Sequence, residues 1–153
     1  MAETASAQEI TITRVFDAPR EVVWKAWTEP QQLARWWGMD GWTNPLEKIT
    51  MDVEPGGEFR VTSVSDADGS EMSVAGVYRE VVEPERLVFE EPAEGSWHEG
   101  ATSVLTLTDL GDGRTEMVVR TTIQTTEDMR SVAEAGMSKS FERLAEHLAG
   151  TEA

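Results

Sequence analysis

The C-terminal part of the sequence carries one long amphipathic helix, and this helix limits the folds that the rest of the chain can adopt. Apolar and small side chains recur at steps of three and four residues from Met129 to Leu148, and charged or polar side chains occupy the other side. Thr125 precedes the pattern as a plausible cap, and Gly150 ends it. The pattern predicts one continuous helix over residues 126–149 with one face buried against a second layer.

The middle of the chain has a period of two residues instead. Apolar and polar residues alternate from about Leu46 to Ile123, and turn sequences such as Glu54-Pro55-Gly56-Gly57 interrupt the alternation. Together with a first strand over residues 8–16, this pattern predicts about seven antiparallel strands.

Two short helices are predicted between the first strand and the rest of the sheet. Asp17-Ala18-Pro19 is typical of a helix start, and Thr28 with Gln31 has the spacing of a capping box. The predicted class is therefore α+β, with a curved sheet wrapped around the long C-terminal helix. Such a sheet offers more inner area than one helix can fill, so we expect a cavity between the C-terminal helix and the sheet.

Composition excludes several classes of protein. The 153 residues fit one domain, predicted over residues 9–150 behind a disordered tail of residues 1–8. The chain has no cysteine, which excludes disulfides, thiolate metal sites and thiol catalysis. A formal charge of −16 opposes binding to nucleic acid, and no apolar run is long enough to span a membrane. We expect a cytoplasmic protein.

Few residues are candidates for chemistry. His98 lies in a predicted polar loop beside Trp97, where it is either a general base at a pocket mouth or merely exposed. Simple alternation places Tyr78 and Glu80 on one face of a strand, where they would orient a ligand if that face is the inner one. We assign no catalytic residue.

Metal and phosphate sites are not predicted. His98-Glu99 offers fewer than the three protein ligands that a transition-metal site usually needs. Gly56-Gly57 lacks the lysine and helix of a phosphate-binding loop, so it indicates a hairpin turn. We therefore expect no metal and no cofactor.

Five motifs in the same order resemble the AHSA1-like branch of the START/SRPBCC superfamily, from about Ile10 to Leu148. They are Arg14-x-Phe16-Asp17-Ala18-Pro19, Val23-Trp24-x-Ala26-Trp27-Thr28-x-Pro30 with Leu33-Ala34-x-Trp36-Trp37, Asp52-x-x-Pro55-Gly56-Gly57, Gly76-x-Tyr78-x-Glu80-Val81-x-x-Pro84-x-Arg86-Leu87-Val88-Phe89, and Ser140-Phe141-Glu142-Arg143-Leu144.

The resemblance implies a helix-grip (START-like) fold with a hydrophobic ligand pocket. We accordingly expect the protein to bind an apolar small molecule, either lipid-like or aromatic. The expected contributors to the site are Trp37, Phe59, Tyr78, Phe89, Trp97, His98, Met137 and Phe141.

Two other functions stay open on the sequence alone. One is a cofactor-free cyclase, aromatase or hydratase that uses the same cavity, and the other is a chaperone-linked interaction module. We do not expect a contact with Hsp90, because the co-chaperone that names the family carries a further N-terminal domain. Whether the chain forms a homodimer, and which ligand it takes, are not specified by the sequence.

Overall fold

The computed structural model describes residues 6–38, 40–92 and 100–151. Its elements, in chain order, are β1 (Ser6–Phe16), α1 (Arg20–Thr28), α2 (Pro30–Trp36), β2 (Trp42–Thr43), a 3-10 turn (Leu46–Lys48), β3 (Ile49–Met51), β4 (Glu58–Ser65), β5 (Glu71–Val82), β6 (Arg86–Glu91), β7 (Ala101–Gly111), β8 (Arg114–Thr125) and α3 (Glu127–Thr151).

The strands of these residues form one antiparallel sheet in the order β1-β8-β7-β6-β5-β4-β2, with β3 also paired to β4. Trp42 of β2 pairs with Ser65, and Ile49 of β3 pairs with Val61, so the two short strands share the same edge of β4. The sheet therefore has seven positions filled by eight strands, which confirms the predicted α+β class and antiparallel sheet.

All three α-helices cover one face of the sheet, here called the inner face. α3 packs on β1, β8, α1 and α2, while α1 and α2 reach β7, β8 and β3. The inner-facing side chains of the strands and helices form a single buried core, which includes Ile10, Leu105, Leu107, Met117 and Val119. The two-residue alternation follows directly from this arrangement, because the opposite face of the sheet meets solvent.

The predicted C-terminal helix is confirmed as one continuous element, but its two halves pack differently. Phe141, Leu144 and Leu148 in the second half are no more than 3% exposed. In the first half Val132 is 61% exposed, and no described residue beyond the adjoining helix backbone comes within 4 Å of the position a Cβ of Gly136 would take. The second half thus carries most of the helix's contribution to the core.

β1 begins at Ser6, where it pairs with Thr125 of β8. Residues 6–8, which the sequence placed in a disordered tail, therefore belong to the sheet. Within the described residues, no helix combines the length and the apolar character needed to cross a bilayer.

A β-bulge in β5 overturns one expectation about faces. Tyr78 pairs with Phe89, but Glu80 pairs with Val88, the next residue back along β6, so the register shifts between them. Tyr78 consequently faces inward and is 3% exposed, whereas the Glu80 carboxylate lies outside and accepts a hydrogen bond from Arg86 Nε over 2.8 Å. The two residues do not share a face, because the bulge inserts an extra residue into the alternation.

Candidate functional site

A small apolar cavity lies between the inner face of the sheet and the helices α1 and α2. Its volume is ≈ 20 Å³, room for about one water molecule. The wall is formed by Trp27, Leu33, Trp37, Met51, Phe59, Val61, Tyr78, Leu87 and Phe89. Every wall residue is apolar or aromatic, and only Trp and Tyr side chains bring polar atoms to it.

The aromatic rings of the wall are fixed by contacts with one another. The ring centroids of Phe59 lie 5.1 Å from Tyr78 and 5.7 Å from Phe89, and Trp27 lies 6.3 Å from Phe89. Gly76 makes this packing feasible, because a Cβ there would lie 2.6 Å from the Phe59 ring and 2.2 Å from the Glu90 carbonyl oxygen. Glycine thus leaves the inner face of β5 open for the Phe59 ring.

Trp27 carries a buried indole N–H without a hydrogen-bond acceptor among the described residues. Its side chain is 4% exposed and contacts Trp36 edge to face, with the ring centroids 4.8 Å apart. Trp36, by contrast, donates its Nε1–H to the Ala26 carbonyl oxygen over 3.0 Å. Buried donors are nearly always paired in proteins, so the Trp27 N–H is the exceptional polar atom of this wall.

Tyr78 is held in the wall by its backbone. Its N–H donates to the Gly57 carbonyl over 2.8 Å, and its carbonyl accepts from the Gly56 N–H over 2.7 Å. A Cβ at Gly57 would lie 2.0 Å from the Asp52 carbonyl oxygen, which explains the glycine of this turn. Burial, and then the negative charge of Asp52, raise the pKa of the Tyr78 hydroxyl, so it keeps its proton.

Trp37 and Met51 are the half-buried residues of the wall and form its solvent side. The backbone of Trp37 is fixed, because its carbonyl accepts from Asn44 Nδ2 over 2.8 Å and its N–H donates to the Leu33 carbonyl over 3.0 Å. Met51 is unbranched and is the last residue of the short strand β3, so its side chain adapts to a change in the shape of the cavity more easily than its neighbours.

α3 fastens the segment that follows α2. Ser140 Oγ donates to the Gly38 carbonyl over 2.6 Å, and Arg143 Nε donates to the Trp36 carbonyl over 3.3 Å. Arg143 also pairs with Asp40. The helix thereby holds the position of Trp37 through the backbone on both sides of it.

Half of the eight expected site residues line the cavity: Trp37, Phe59, Tyr78 and Phe89. Phe141 packs instead in the core, with its ring centroid 6.0 Å from Trp27 and 6.2 Å from Trp36, and Met137 packs half-buried at the edge of that core. Trp97 and His98 lie outside the described residues. A role in ligand binding stays a prediction for all eight.

The position of the cavity differs from the expected one between the C-terminal helix and the sheet. The large side chains of α1 and α2, together with Phe141, fill much of the inner face, so the remaining space lies at β3–β6. Five residues of the wall were not among the eight expected from the sequence: Trp27, Leu33, Met51, Val61 and Leu87. Alternation within the strands was the available signal for Val61 and Leu87, which share their faces with Phe59 and Phe89.

Glu91 was likewise not singled out from the sequence. It continues the inner-face alternation of Leu87 and Phe89 to the end of β6, while Glu90 faces outward and pairs with Arg79. Burial raises the pKa of the Glu91 carboxyl to about 7. It does not line the cavity described above.

Of the residues considered for chemistry, Tyr78 and Glu80 are not brought together, and His98 lies outside the described residues. Tyr78 lies on the inner face and Glu80 on the outer one, so they cannot act on one molecule. Among the described residues, no three carboxylate or histidine side chains cluster as metal ligands would.

Comparison with known proteins places the chain in a family. A family model described as "Activator of Hsp90 ATPase homolog 1-like protein" matches residues 17–149. The chain belongs to this family. This match confirms the AHSA1-like branch that the five motifs resemble, and the observed fold is consistent with the helix-grip arrangement that the resemblance implies. No curated protein matches the sequence.

Solved structures share the AHSA1-like fold at low identity. A protein from Arthrobacter aurescens is 24% identical with a TM-score of 0.81, covering 96% of this chain and 92% of its own. A protein from Chromobacterium violaceum is 24% identical with a TM-score of 0.79, covering 92% and 96%. The AHSA1 protein from Silicibacter pomeroyi is 19% identical with a TM-score of 0.79, covering 93% and 98%.

Proposed function

We propose that this AHSA1-like domain binds a small, mainly apolar molecule in the cavity beneath α1 and α2. The observation that supports the proposal is the chemistry of the wall, which combines aromatic and aliphatic surface with very few polar groups. Small-molecule sites in proteins typically have this composition. Four of the residues expected from the sequence lie in the same wall.

The cavity must enlarge for a ligand to enter, because ≈ 20 Å³ is far less than the volume of an organic molecule. The half-buried side chains of Trp37 and Met51 are the ones that can move outward at the smallest cost in buried area. Burial of apolar ligand surface contributes ~25 cal/mol per Å², and the displacement of side chains offsets part of it. We therefore expect micromolar rather than nanomolar affinities.

A ligand panel tests the proposal. Fatty acids, sterols, flavonoids and aromatic polyketides are titrated into the full chain while tryptophan emission and Tm are followed. A ligand at a hundredfold excess over its Kd stabilises the folded state by ~2.7 kcal/mol. Emission changes as well, since Trp27 and Trp37 form part of the wall.

A matched pair of variants locates the binding site. Met51→Phe adds bulk to the solvent side of the cavity and weakens binding, whereas Met72→Phe makes the same change at an exposed methionine outside the wall and leaves binding unchanged. The proposal is wrong if no member of the panel changes Tm or emission. It is also wrong if a ligand binds equally to both variants and to the wild type.

A further inference from the structure

We propose that the ion pair between Asp40 and Arg143 is a latch that keeps the cavity beneath α1 and α2 closed, and that its release allows Trp37 to move out of the wall. The proposal rests on the proposed function and adds the way in which access to that site is controlled.

Trp37 is the part of the wall that is least fixed by secondary structure. The wall residues on β4, β5 and β6 are held in the strand ladder, and Trp27 and Leu33 lie on helices and are no more than 4% exposed. Met51 belongs to β3, whereas Trp37 follows the last residue of α2 and lies in no helix or strand. Because the cavity of ≈ 20 Å³ must enlarge to admit a molecule, Trp37 is the residue whose displacement opens it at the smallest structural cost.

α3 anchors the backbone on both sides of Trp37. Arg143 Nε donates to the Trp36 carbonyl oxygen over 3.3 Å, and Ser140 Oγ donates to the Gly38 carbonyl oxygen over 2.6 Å. Ser140 and Arg143 are three residues apart on α3, so their side chains lie on the same face of the helix. An outward movement of the Trp37 backbone therefore requires these contacts with α3 to break.

The pair of Arg143 with Asp40 is the contact in this set that solvent reaches. The Asp40 side chain is 70% exposed, and that of Arg143 is 24% exposed. Ser140 and Asn44 are each 8% exposed, and Asn44 Nδ2 donates to the Trp37 carbonyl oxygen over 2.8 Å. Salt screens an exposed ion pair much more than it weakens buried hydrogen bonds. Asp40 also orients the guanidinium that donates to Ser140 Oγ, so its release loosens the other contacts of Arg143.

Nile red provides the first test, because it is neutral and its emission rises in an apolar site. Its association with the full chain is followed by stopped-flow fluorescence. We expect Asp40→Asn to associate about two- to fivefold faster than the wild type, the factor that corresponds to the loss of one exposed ion pair. Raising NaCl from about 20 mM to about 500 mM should accelerate the wild type towards the rate of Asp40→Asn. Salt does not steer the probe itself, since the probe carries no charge.

The second test measures the exposure of the Trp37 indole without any ligand. TEMPOL, a neutral paramagnetic solute, attenuates each indole ¹H–¹⁵N resonance according to its access to solvent, and the Trp37 resonance is identified by its loss in Trp37→Phe. We expect Asp40→Asn and Arg143→Gln to increase the attenuation of Trp37 and to leave that of buried Trp27 unchanged. A purely structural role of Arg143 would lower Tm without this selective effect.

Arg130→Gln is the matched control. It removes the same charge and an ion pair with Glu134 from the first half of the same helix, so it should leave the association rate and the attenuation at their wild-type values.

The possible results are distinguishable. Wild-type association rates and wild-type attenuation of Trp37 in Asp40→Asn overturn the latch, and the proposed function stands if Nile red nevertheless binds. Equal effects of Arg130→Gln and Arg143→Gln also overturn it, because they would reflect net charge alone. If Nile red and the whole ligand panel fail to bind, the proposed function is wrong, and the TEMPOL measurement alone keeps or rejects the latch.

Discussion

Ser140 on the C-terminal helix donates a hydrogen bond of 2.6 Å to the carbonyl oxygen of Gly38, so α3 is fastened to the segment that carries Trp37. Ser140 is 8% exposed, and its partner Gly38 directly follows Trp37 after the end of α2. The contact gives a physical reason for one polar position in the Ser140-Phe141-Glu142-Arg143-Leu144 motif.

Ser140→Ala is expected to lower the free energy of unfolding by ~1–2 kcal/mol, because it leaves the Gly38 carbonyl without this donor. Urea denaturation measures the change. Ser131→Ala is the matched control, since Ser131 is exposed and its hydroxyl lies 3.5 Å from the Glu127 carbonyl. Equal stability of the Ser140 variant and the control would show that the contact is energetically unimportant.

The second half of α3 is expected to carry most of the helix's stability. Phe141→Ala and Leu144→Ala should each cost ~2–5 kcal/mol, because both side chains are buried in the core. Val132→Ala, at a position 61% exposed in the first half, should change stability by less than ~0.5 kcal/mol. The packing described for this helix would be contradicted if Val132→Ala lowered the denaturant midpoint as much as Phe141→Ala or Leu144→Ala.

Two glycine-to-alanine changes are expected to have opposite effects on the stability of the fold. Gly76→Ala places a Cβ 2.2 Å from the Glu90 carbonyl and against the Phe59 ring, so it should lower Tm sharply. A Cβ at position 136 meets no described residue beyond the adjoining helix backbone within 4 Å, and the position lies inside a helix, so Gly136→Ala should stabilise by ~0.5–1 kcal/mol. Thermal denaturation of the two variants decides, and a loss of stability in Gly136→Ala would indicate that the first half of α3 packs more closely than described.

Glu91 is expected to make stability depend on pH. Its folded-state pKa of about 7 lies above the ordinary value of 4.5, so the unfolded chain loses this proton first as pH rises. The contribution of Glu91 to the free energy of unfolding is therefore complete below about pH 4.5, and it decreases between about pH 4.5 and about pH 7. Each unit of raised pKa corresponds to ~1.4 kcal/mol.

The measurement compares Glu91→Gln with the wild type across this interval. The stability of the variant relative to the wild type should rise from about pH 4.5 to 7 and then stay constant. Glu90→Gln removes a carboxylate from the outward-facing neighbour, which pairs with Arg79, and serves as the control for charge. A pH-independent difference between Glu91→Gln and the wild type would contradict the burial of this carboxyl.

Local patterns were sufficient to predict the fold class. The repeat of Met129 to Leu148 fixes α3, and strand alternation separates buried Phe59 and Val61 from exposed Glu58 and Arg60. These predictions succeed because each element has one buried face, and burial imposes its period on the sequence.

The arrangement of the site could not be predicted as well from the sequence. The bulge after Tyr78 places Glu80 on the outer face of the sheet. No residue type in Val77-Tyr78-Arg79-Glu80 indicates an extra residue in the ladder. That the Trp27 N–H finds no acceptor among the described residues depends on the tertiary packing around the indole and not on the local sequence. The size of the cavity likewise depends on how completely the helices fill the sheet.

The pairing of β1 with β8 has a consequence for folding during synthesis. Residues 6–16 form their only strand ladder within the described sheet with residues 115–125, so the strand of this sheet that is synthesised first is completed by the one synthesised last. During synthesis β1 has no partner in this sheet until β8 has left the ribosome, and non-local pairing of this kind slows folding. A strand waiting that long presents an open edge to other nascent chains. The formal charge of −16 opposes such association through like-charge repulsion, and this effect does not require the folded state.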